Sequence, residues 1–211
     1  MQPFPKDIFT EPEPDAQTLR NLGPLAPMAG IWEGRRGVDV HPAAEGTEEN
    51  IYIERIELQP IDAQTNGPQL FYGLRYHTRI VKPDEVETFH DQVGYWLWEP
   101  ATGTVLLTLA IPRGQIAMAM GAATPDAKSF ELVAQRGSTV NGICSNPFLE
   151  HAFRTTEYRI RVTIHSETSW SYEQDTILLV RDRPEPFHHT DRNTLHKIGK
   201  PTPNPTAREN P

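Results

Sequence analysis

Two adjacent histidines near the end of the chain, His188 and His189, have the side chains best suited to bind a metal ion. Thr190 and Asp191 follow them directly, and Leu195 resumes an apolar pattern behind them. Imidazole is the commonest metal ligand among side chains, and a neighbouring polar group can fix its tautomer. The same residues also suit a polar turn in which Thr190 or Asp191 begins a last helical turn. The spacing therefore leaves metal ligation and a polar turn as alternatives.

Further ligand-binding side chains lie elsewhere in the sequence. His90 precedes Gly94-Tyr95-Trp96 in a predicted strand, where an ordinary hydrogen bond between strands is the alternative to ligand contact. Arg35, Arg36 and Arg113 can each pair with a carboxylate group of a ligand. Arginines on an acidic domain more often form surface ion pairs of little energetic weight.

Composition excludes several other kinds of chemistry. The sequence contains no G-x-S-x-G, P-loop, H-E-x-x-H or C-x-x-C pattern. Its one cysteine, Cys144, excludes an internal disulfide and a zinc site built from several cysteines. The net charge of -8 disfavours nucleic acid and anionic membrane surfaces as partners.

Neither a leader nor a membrane span is predicted. The first residues lack a basic region followed by an apolar run. The longest strongly apolar stretch, Thr104 to Ile111, is far shorter than the roughly 20 residues that cross a bilayer. We therefore expect a soluble, cytoplasmic protein.

Proline indicates where the domain begins and ends. Of the 20 prolines, six fall in the first 27 residues and six in the last 28. We expect residues 1–24 to form an extended Pro-rich arm, with a helical turn or two over residues 16–22 before Gly23-Pro24. Residues 25–199 are predicted to form a ligand-binding β-barrel domain, and residues 200–211 a disordered tail.

The central region shows the two-residue period of β-strands. The alternating apolar sets are Val105, Leu107, Leu109 and Ile111; Ile116, Met118 and Met120; and Ile160, Val162 and Ile164. Apolar residues at this period predict strands with one buried face. The flexible methionines suit either the lining of a ligand cavity or an ordinary core.

About nine or ten strand candidates lie between Gly30 and Arg181. In one of them Ile51 and Ile53 have the opposite parity to Ile56, which predicts a β-bulge near Arg55. Turn residues separate the candidates, and no convincing helical period covers ten residues. We therefore predict an all-β fold, a single antiparallel up-and-down β-barrel of about ten strands, like lipocalins and fatty-acid-binding proteins. A barrel of this size encloses a ligand cavity.

Four blocks, in this order and spacing, resemble the nitrobindin family of haem-binding β-barrels, over about residues 25 to 198. The family signature G-x-W-x-G-x-G matches Gly30, Trp32 and Gly34, while Arg36 stands at the third glycine unless a one-residue insertion lets Gly37 serve. The other three blocks are Phe89-His90-Asp91-Gln92-Val93-Gly94-Tyr95-Trp96, Leu109 to Gly121, and Trp170-Ser171-Tyr172 followed by Pro186-Phe187-His188-His189.

The resemblance implies a function as well as a fold. It implies ferric haem b (heme b) in the cavity, with His189 as the axial metal ligand, His188 as the close alternative and His90 on the ligand side. The remaining cofactor-binding residues predicted are Gly30, Trp32, Gly34 and Arg113. The family activity would be NO binding and isomerisation of peroxynitrite to nitrate.

Two departures from the family pattern support a second hypothesis. Arg36 replaces a signature glycine, and Arg113 replaces the threonine that follows Pro112 in the family. The alternative function is a non-enzymatic carrier or sensor of a fatty acid or other small apolar ligand, in a barrel that has lost the haem site. The sequence leaves the oligomeric state open, a homodimer included.

Overall fold

Eleven strands form one antiparallel sheet in the computed structural model, which describes residues 5–203. The order in the sheet is β5-β4-β3-β2-β1-β11-β10-β9-β7-β6-β8, and β5 also pairs with β6. Ten strands therefore close a barrel, and β8 is an extra strand on β6. The strands are β1 Gly30–Ala43, β2 Gly46–Asn66, β3 Gln69–Val81, β4 Thr88–Glu99, β5 Thr104–Ile111, β6 Gln115–Ala122, β7 Ser129–Gln135, β8 Ile143–Ser145, β9 Phe153–Ser166, β10 Ser169–Val180 and β11 Phe187–Gly199.

The predicted all-β barrel of about ten strands is confirmed. Val105 and Leu107 on β5 and Val162 on β9 are buried. Their neighbours along each strand, such as Leu106 and Arg161, lie on the outer face. In β5 and β9 the alternation seen in the sequence therefore identifies the face that points into the barrel.

The predicted bulge near Arg55 is wrong, because β2 keeps one parity from Tyr52 to Pro60. Tyr52, Glu54 and Ile56 all point inward, and Ile51 is exposed. The irregularity lies instead in β1, where two residues between Gly34 and Gly37 face a single residue of β2. Because Tyr52 and Glu54 occupy the inner face of β2, the spacing of its isoleucines does not identify that face.

The methionines of β6 do not line the interior. Ala119 is buried and Ala117 faces the cavity, whereas Ile116 is exposed and Met118 lies on the outer surface. The inward positions of β6 are therefore occupied by small alanines.

Short helices cover the two ends of the barrel. Helix α1, Thr18–Asn21, and a 3₁₀ helix, Gly23–Met28, precede β1, and helix α2, Pro147–Ala152, lies near the opposite end. The side chain of Asn146 caps α2 by accepting hydrogen bonds from Phe148 N and Leu149 N. The predicted disordered tail lies largely outside the described residues, since residues 204–211 are not described. Within residues 5–203, no helix is both long and apolar enough to cross a membrane.

An apolar plug fills the barrel at the end where β1 begins. The indole of Trp32 is fully buried, donates to Met28 O at 2.7 Å and packs edge-on against Trp170 at 6.0 Å between ring centroids. Leu25 and Met28 of the 3₁₀ helix are also fully buried beside these rings. Large side chains therefore close the barrel at this end and exclude water from it.

A buried polar layer lies above the plug. The Glu54 carboxylate accepts from Tyr172 Oη at 2.8 Å and from Asn193 Nδ2 at 3.0 Å. Tyr52 Oη lies 2.8 Å from Tyr172 Oη. Gly37 makes room for this layer, because a Cβ there would lie 2.1 Å from the Tyr52 ring. Burial raises the pKa of Glu54 to about 7, which keeps the carboxyl largely protonated below that pH.

Replacement of Glu54 by Gln should change how stability depends on pH. Below about pH 4.5 the carboxyl is protonated in both the folded and the unfolded chain. Between about pH 4.5 and 7 the unfolded chain loses this proton first, so burial of the carboxyl costs progressively more as pH rises. The free energy of unfolding of Glu54→Gln, measured relative to wild type by urea unfolding, should therefore rise by on the order of 3 kcal/mol between pH 5 and pH 8.

Glu57→Gln is the matched control, because Glu57 lies on the outer face of β2, half exposed, beside Arg55. It should shift the urea midpoint little and by a similar amount at both pH values. An equal difference from wild type at pH 5 and pH 8 for Glu54→Gln would contradict the raised pKa.

Candidate functional site

The candidate site is a cavity of about 660 Å³ between the polar layer and the end of the barrel near α2. One part of its wall is apolar: Ile80, Phe89, Leu109, Ile111, Leu149, Phe153 and Leu178. The other part is polar: Asp39, His41, His90, Gln92, Tyr158, Gln174, His189 and Asp191. The cavity therefore suits a ligand with a large apolar surface and at least one group that binds to imidazole or carboxylate.

A carboxylate–histidine cluster occupies the polar wall. We define it as Asp39 and His41 of β1 together with His189 and Asp191 of β11. The strands are antiparallel, and their register places Asp39 directly opposite Asp191. Because residues two apart on a strand share a face, all four side chains point to the same side of the sheet. The cluster is thus a product of the pairing that closes the barrel.

The carboxylate of Asp39 lies at the centre of the cluster. Its side chain is 4% exposed, and its two oxygens bind different imidazoles: Oδ1 lies 2.8 Å from His189 Nε2, and Oδ2 lies 2.6 Å from His41 Nδ1. A buried carboxylate requires such partners, since an unpaired charge in this environment is strongly disfavoured.

Asp191 completes the cluster from the opposite strand. Its Oδ2 accepts a hydrogen bond from Gln174 Nε2 at 2.7 Å and lies 3.6 Å from His189 Nε2. The second ring nitrogen of His189, Nδ1, has no hydrogen-bond partner among residues 5–203. One edge of this imidazole is therefore held by carboxylates while the other is available to a ligand.

The cluster shifts the pKa values of its members in opposite directions. Burial by itself would raise the pKa of Asp39, but hydrogen bonds from His189 and His41 outweigh it and lower that pKa. Burial disfavours the charged form of His189, yet the hydrogen bond to Asp39 and the charge of Asp191 raise its pKa. Burial raises the pKa of Asp191 to about 6. The Asp39–His189 pair consequently favours a carboxylate bonded to a protonated imidazole.

Three of the predicted site residues line the cavity: His189, His90 and Arg113. His90 Nε2 lies 3.3 Å from Gln92 Oε1, and burial lowers the pKa of His90, so this ring is neutral at pH 7. Arg113, in the turn between β5 and β6, donates to Phe89 O at 3.2 Å. The structure thus brings two histidines and one arginine to the same cavity.

The remaining predicted site residues lie elsewhere. The side chain of His188 is 60% exposed and its Nδ1 lies 2.7 Å from Asp175 Oδ2. Gly30, Trp32 and Gly34 are absent from the cavity wall as the structure describes it. Trp32 belongs to the apolar plug, and Gly34 makes room for Asn193, which a Cβ would approach to 2.5 Å.

Sequence reasoning assigned no role to Asp39 or His41, and it treated Asp191 either as a polar neighbour of His189 or as the start of a helical turn. A signal was present, since the chain reads Asp-x-His at residues 39–41 and His-x-Asp at residues 189–191. Each pair shares a strand face, but the two pairs are about 150 residues apart. Only the pairing of β1 with β11 makes them one cluster.

A second hollow, of about 840 Å³, is a groove on the outer surface of β4, β5 and β6. Val93, Tyr95 and Ile116 line it and are exposed. Its neighbouring imidazole, His77, is paired with Asp91 at 3.0 Å. The polar side chains of this groove, such as Glu57, Arg75 and His77, lie on the open outer surface, whereas the interior cavity has the buried Asp39 on its wall and is the better candidate site.

Comparisons with known proteins agree with this geometry. A family model described as THAP4-like, heme-binding beta-barrel domain matches residues 21–197. Among solved structures, Rv2717c from M. tuberculosis superposes with a TM-score of 0.61 at 23% sequence identity, covering 86% of this chain and 98% of the other. At this identity the superposition shows a shared fold. No match was found among curated proteins.

Replacement of Asp39 by Asn should lower the pKa of His189, because the neutral amide no longer stabilises the imidazolium. The measurement is an NMR titration of the histidine ring protons. Asp91→Asn, which alters the exposed His77–Asp91 pair, is the control and should leave the His189 titration in place. An unchanged His189 pKa in Asp39→Asn would show that the two side chains do not interact in solution.

Proposed function

The chain belongs to the family of THAP4-like, haem-binding β-barrel domains (the nitrobindin family), and from this premise we propose that it binds haem b in the barrel cavity through His189. The observation that carries the assignment is the state of the His189 ring. Asp39 holds Nε2, and Nδ1 has no hydrogen-bond partner among the described residues. A histidine that ligates metal commonly donates its other ring N–H to a carboxylate in this way.

The cavity has the chemical features that a haem requires. Its apolar wall, which includes Phe89, Leu109 and Leu178, suits the faces of the macrocycle. Arg113 lies on the same wall and supplies a cation for a propionate. The donor set therefore fits the group, with His189 as the metal ligand in preference to the exposed His188.

The resemblance also supports a more specific proposal, that the loaded barrel binds NO and isomerises peroxynitrite to nitrate. Haem, when bound, would supply a ferric iron with a coordination position open to these ligands. The chain contributes His189, oriented by Asp39, and the neutral ring of His90 on the same cavity wall. A neutral imidazole can hydrogen-bond a bound anion without adding a competing ligand charge.

The polar part of the wall supports the carrier hypothesis less well. A fatty-acid carrier needs apolar surface along most of its ligand, whereas Gln92, Tyr158 and Gln174 all face this cavity. A small apolar ligand remains the second candidate because Phe148 and Phe153 form an apolar edge beside α2.

Titration of the full chain with ferric haem, followed by absorption, tests the proposal. Wild type should give a sharp Soret band that saturates at one equivalent. His189→Ala should lose the band while retaining the far-UV circular dichroism of a folded barrel, because the iron loses its ligand. His188→Ala is the matched control and should behave as wild type, since its ring points away from the cavity.

Two outcomes contradict the assignment. A sharp band that persists in both variants would remove His189 and His188 as axial ligands. A broad, unsaturable band in wild type would mean a barrel of this family that carries another apolar ligand, to be identified in organic extracts of the purified protein.

A further inference from the structure

The carboxylate–histidine cluster has the donors of a metal site that needs no porphyrin. One ligand atom from each of Asp39, His189 and Asp191 lies within 4.8 Å of the other two. Ligand atoms on one tetrahedral zinc ion lie roughly 3.3–3.6 Å apart, given bond lengths of about 2.0–2.2 Å. Side-chain adjustments of up to roughly 1.5 Å would therefore bring all three donors onto one ion.

The two carboxylates of the cluster are balanced by a proton on His189 rather than by a permanently charged side chain. Asp39 is 3% exposed, and its ion-pair partners within residues 5–203 are His41 and His189 alone. The described contacts of Asp191 include no lysine or arginine ion pair. Two carboxylates thus share an enclosed wall without a permanently charged partner. A divalent ion between them would neutralise both.

Each carboxylate ligand has a partner that would hold it in place around an ion. His41 Nδ1 lies 2.6 Å from Asp39 Oδ2, leaving Oδ1 for the metal. Gln174 Nε2 donates to Asp191 Oδ2 at 2.7 Å. Hydrogen bonds of this kind orient ligands and are a regular part of protein metal sites. The exposed His188–Asp175 pair has no second carboxylate among its described contacts.

We propose that Asp39, His189 and Asp191 form a mononuclear site for a divalent transition-metal ion, such as Zn²⁺ or Fe²⁺, that faces the barrel cavity. Imidazole and carboxylate are the donors these ions accept. Three protein ligands leave further coordination positions open toward the cavity, as in catalytic metal sites. The ion would replace the proton between His189 Nε2 and the carboxylates.

This site differs from the proposed haem site, although both use His189. The divalent ion would bind Nε2, on the side of the carboxylates, whereas the haem proposal uses Nδ1. The Zn²⁺ titration and the haem titration of wild type report on the two proposals separately, and His189→Ala removes both.

Isothermal titration of Zn²⁺ into the chelator-treated full chain, made without a histidine tag, tests the site. Wild type should bind one equivalent. Asp191→Asn should bind Zn²⁺ at least about tenfold more weakly while retaining the far-UV circular dichroism of the folded barrel. The double variant Asp175→Asn, His188→Ala, which removes an exposed pair of the same residue types, should bind as wild type does.

Co²⁺ provides a readout that needs no variant. One equivalent of Co²⁺ in the metal-free wild-type chain should produce hyperfine-shifted resonances from the His189 ring and should leave the His188 ring unshifted. The absence of a one-equivalent Zn²⁺ isotherm, or one that survives in Asp191→Asn, would overturn the proposal. Loss of binding in the Asp175, His188 double variant would place the ion on the outer surface and would also overturn it.

Discussion

Closure of the barrel by the antiparallel pairing of β1 with β11 is the constraint on which the rest of the structure depends. The pairing joins the two ends of the domain and removes the exposed edges that an open sheet would present. It also sets the register that places Asp39 opposite Asp191. A shift of one residue would turn every side chain of β11 to the other face, so the same hydrogen bonds that close the barrel also assemble its cluster.

The interior is divided into an apolar plug, a polar layer and a cavity, and β1 contributes to each. Trp32 belongs to the plug, Gly34 and Gly37 leave space for the polar layer, and Asp39 and His41 reach the cavity. The bulge between Gly34 and Gly37 lies where the polar layer begins. Because of this bulge, Gly37 lies on the same inner face as Gly34, while both Arg35 and Arg36 are exposed.

The ring of His189 connects the two proposed ligands. Its carboxylate-bound nitrogen faces Asp39 and Asp191, and its other nitrogen has no partner among the described residues. Removal of the Asp39 carboxylate would therefore affect any ligand of this ring, through tautomer, charge and orientation. The ring of His90 is neutral, so Arg113 is the one permanently charged cation among the described residues that line the cavity.

The sequence by itself determined the fold class, because residues such as Ile160 and Val162 alternate with polar residues at a period that only strands produce. It also determined the family, through glycines and tryptophans in fixed order, and it selected His189 and His90. The tertiary structure decided which face of β2 and β6 is buried, since parity is ambiguous where polar residues point inward. It alone decided the cluster, because Asp39 and Asp191 meet only when the chain ends pair.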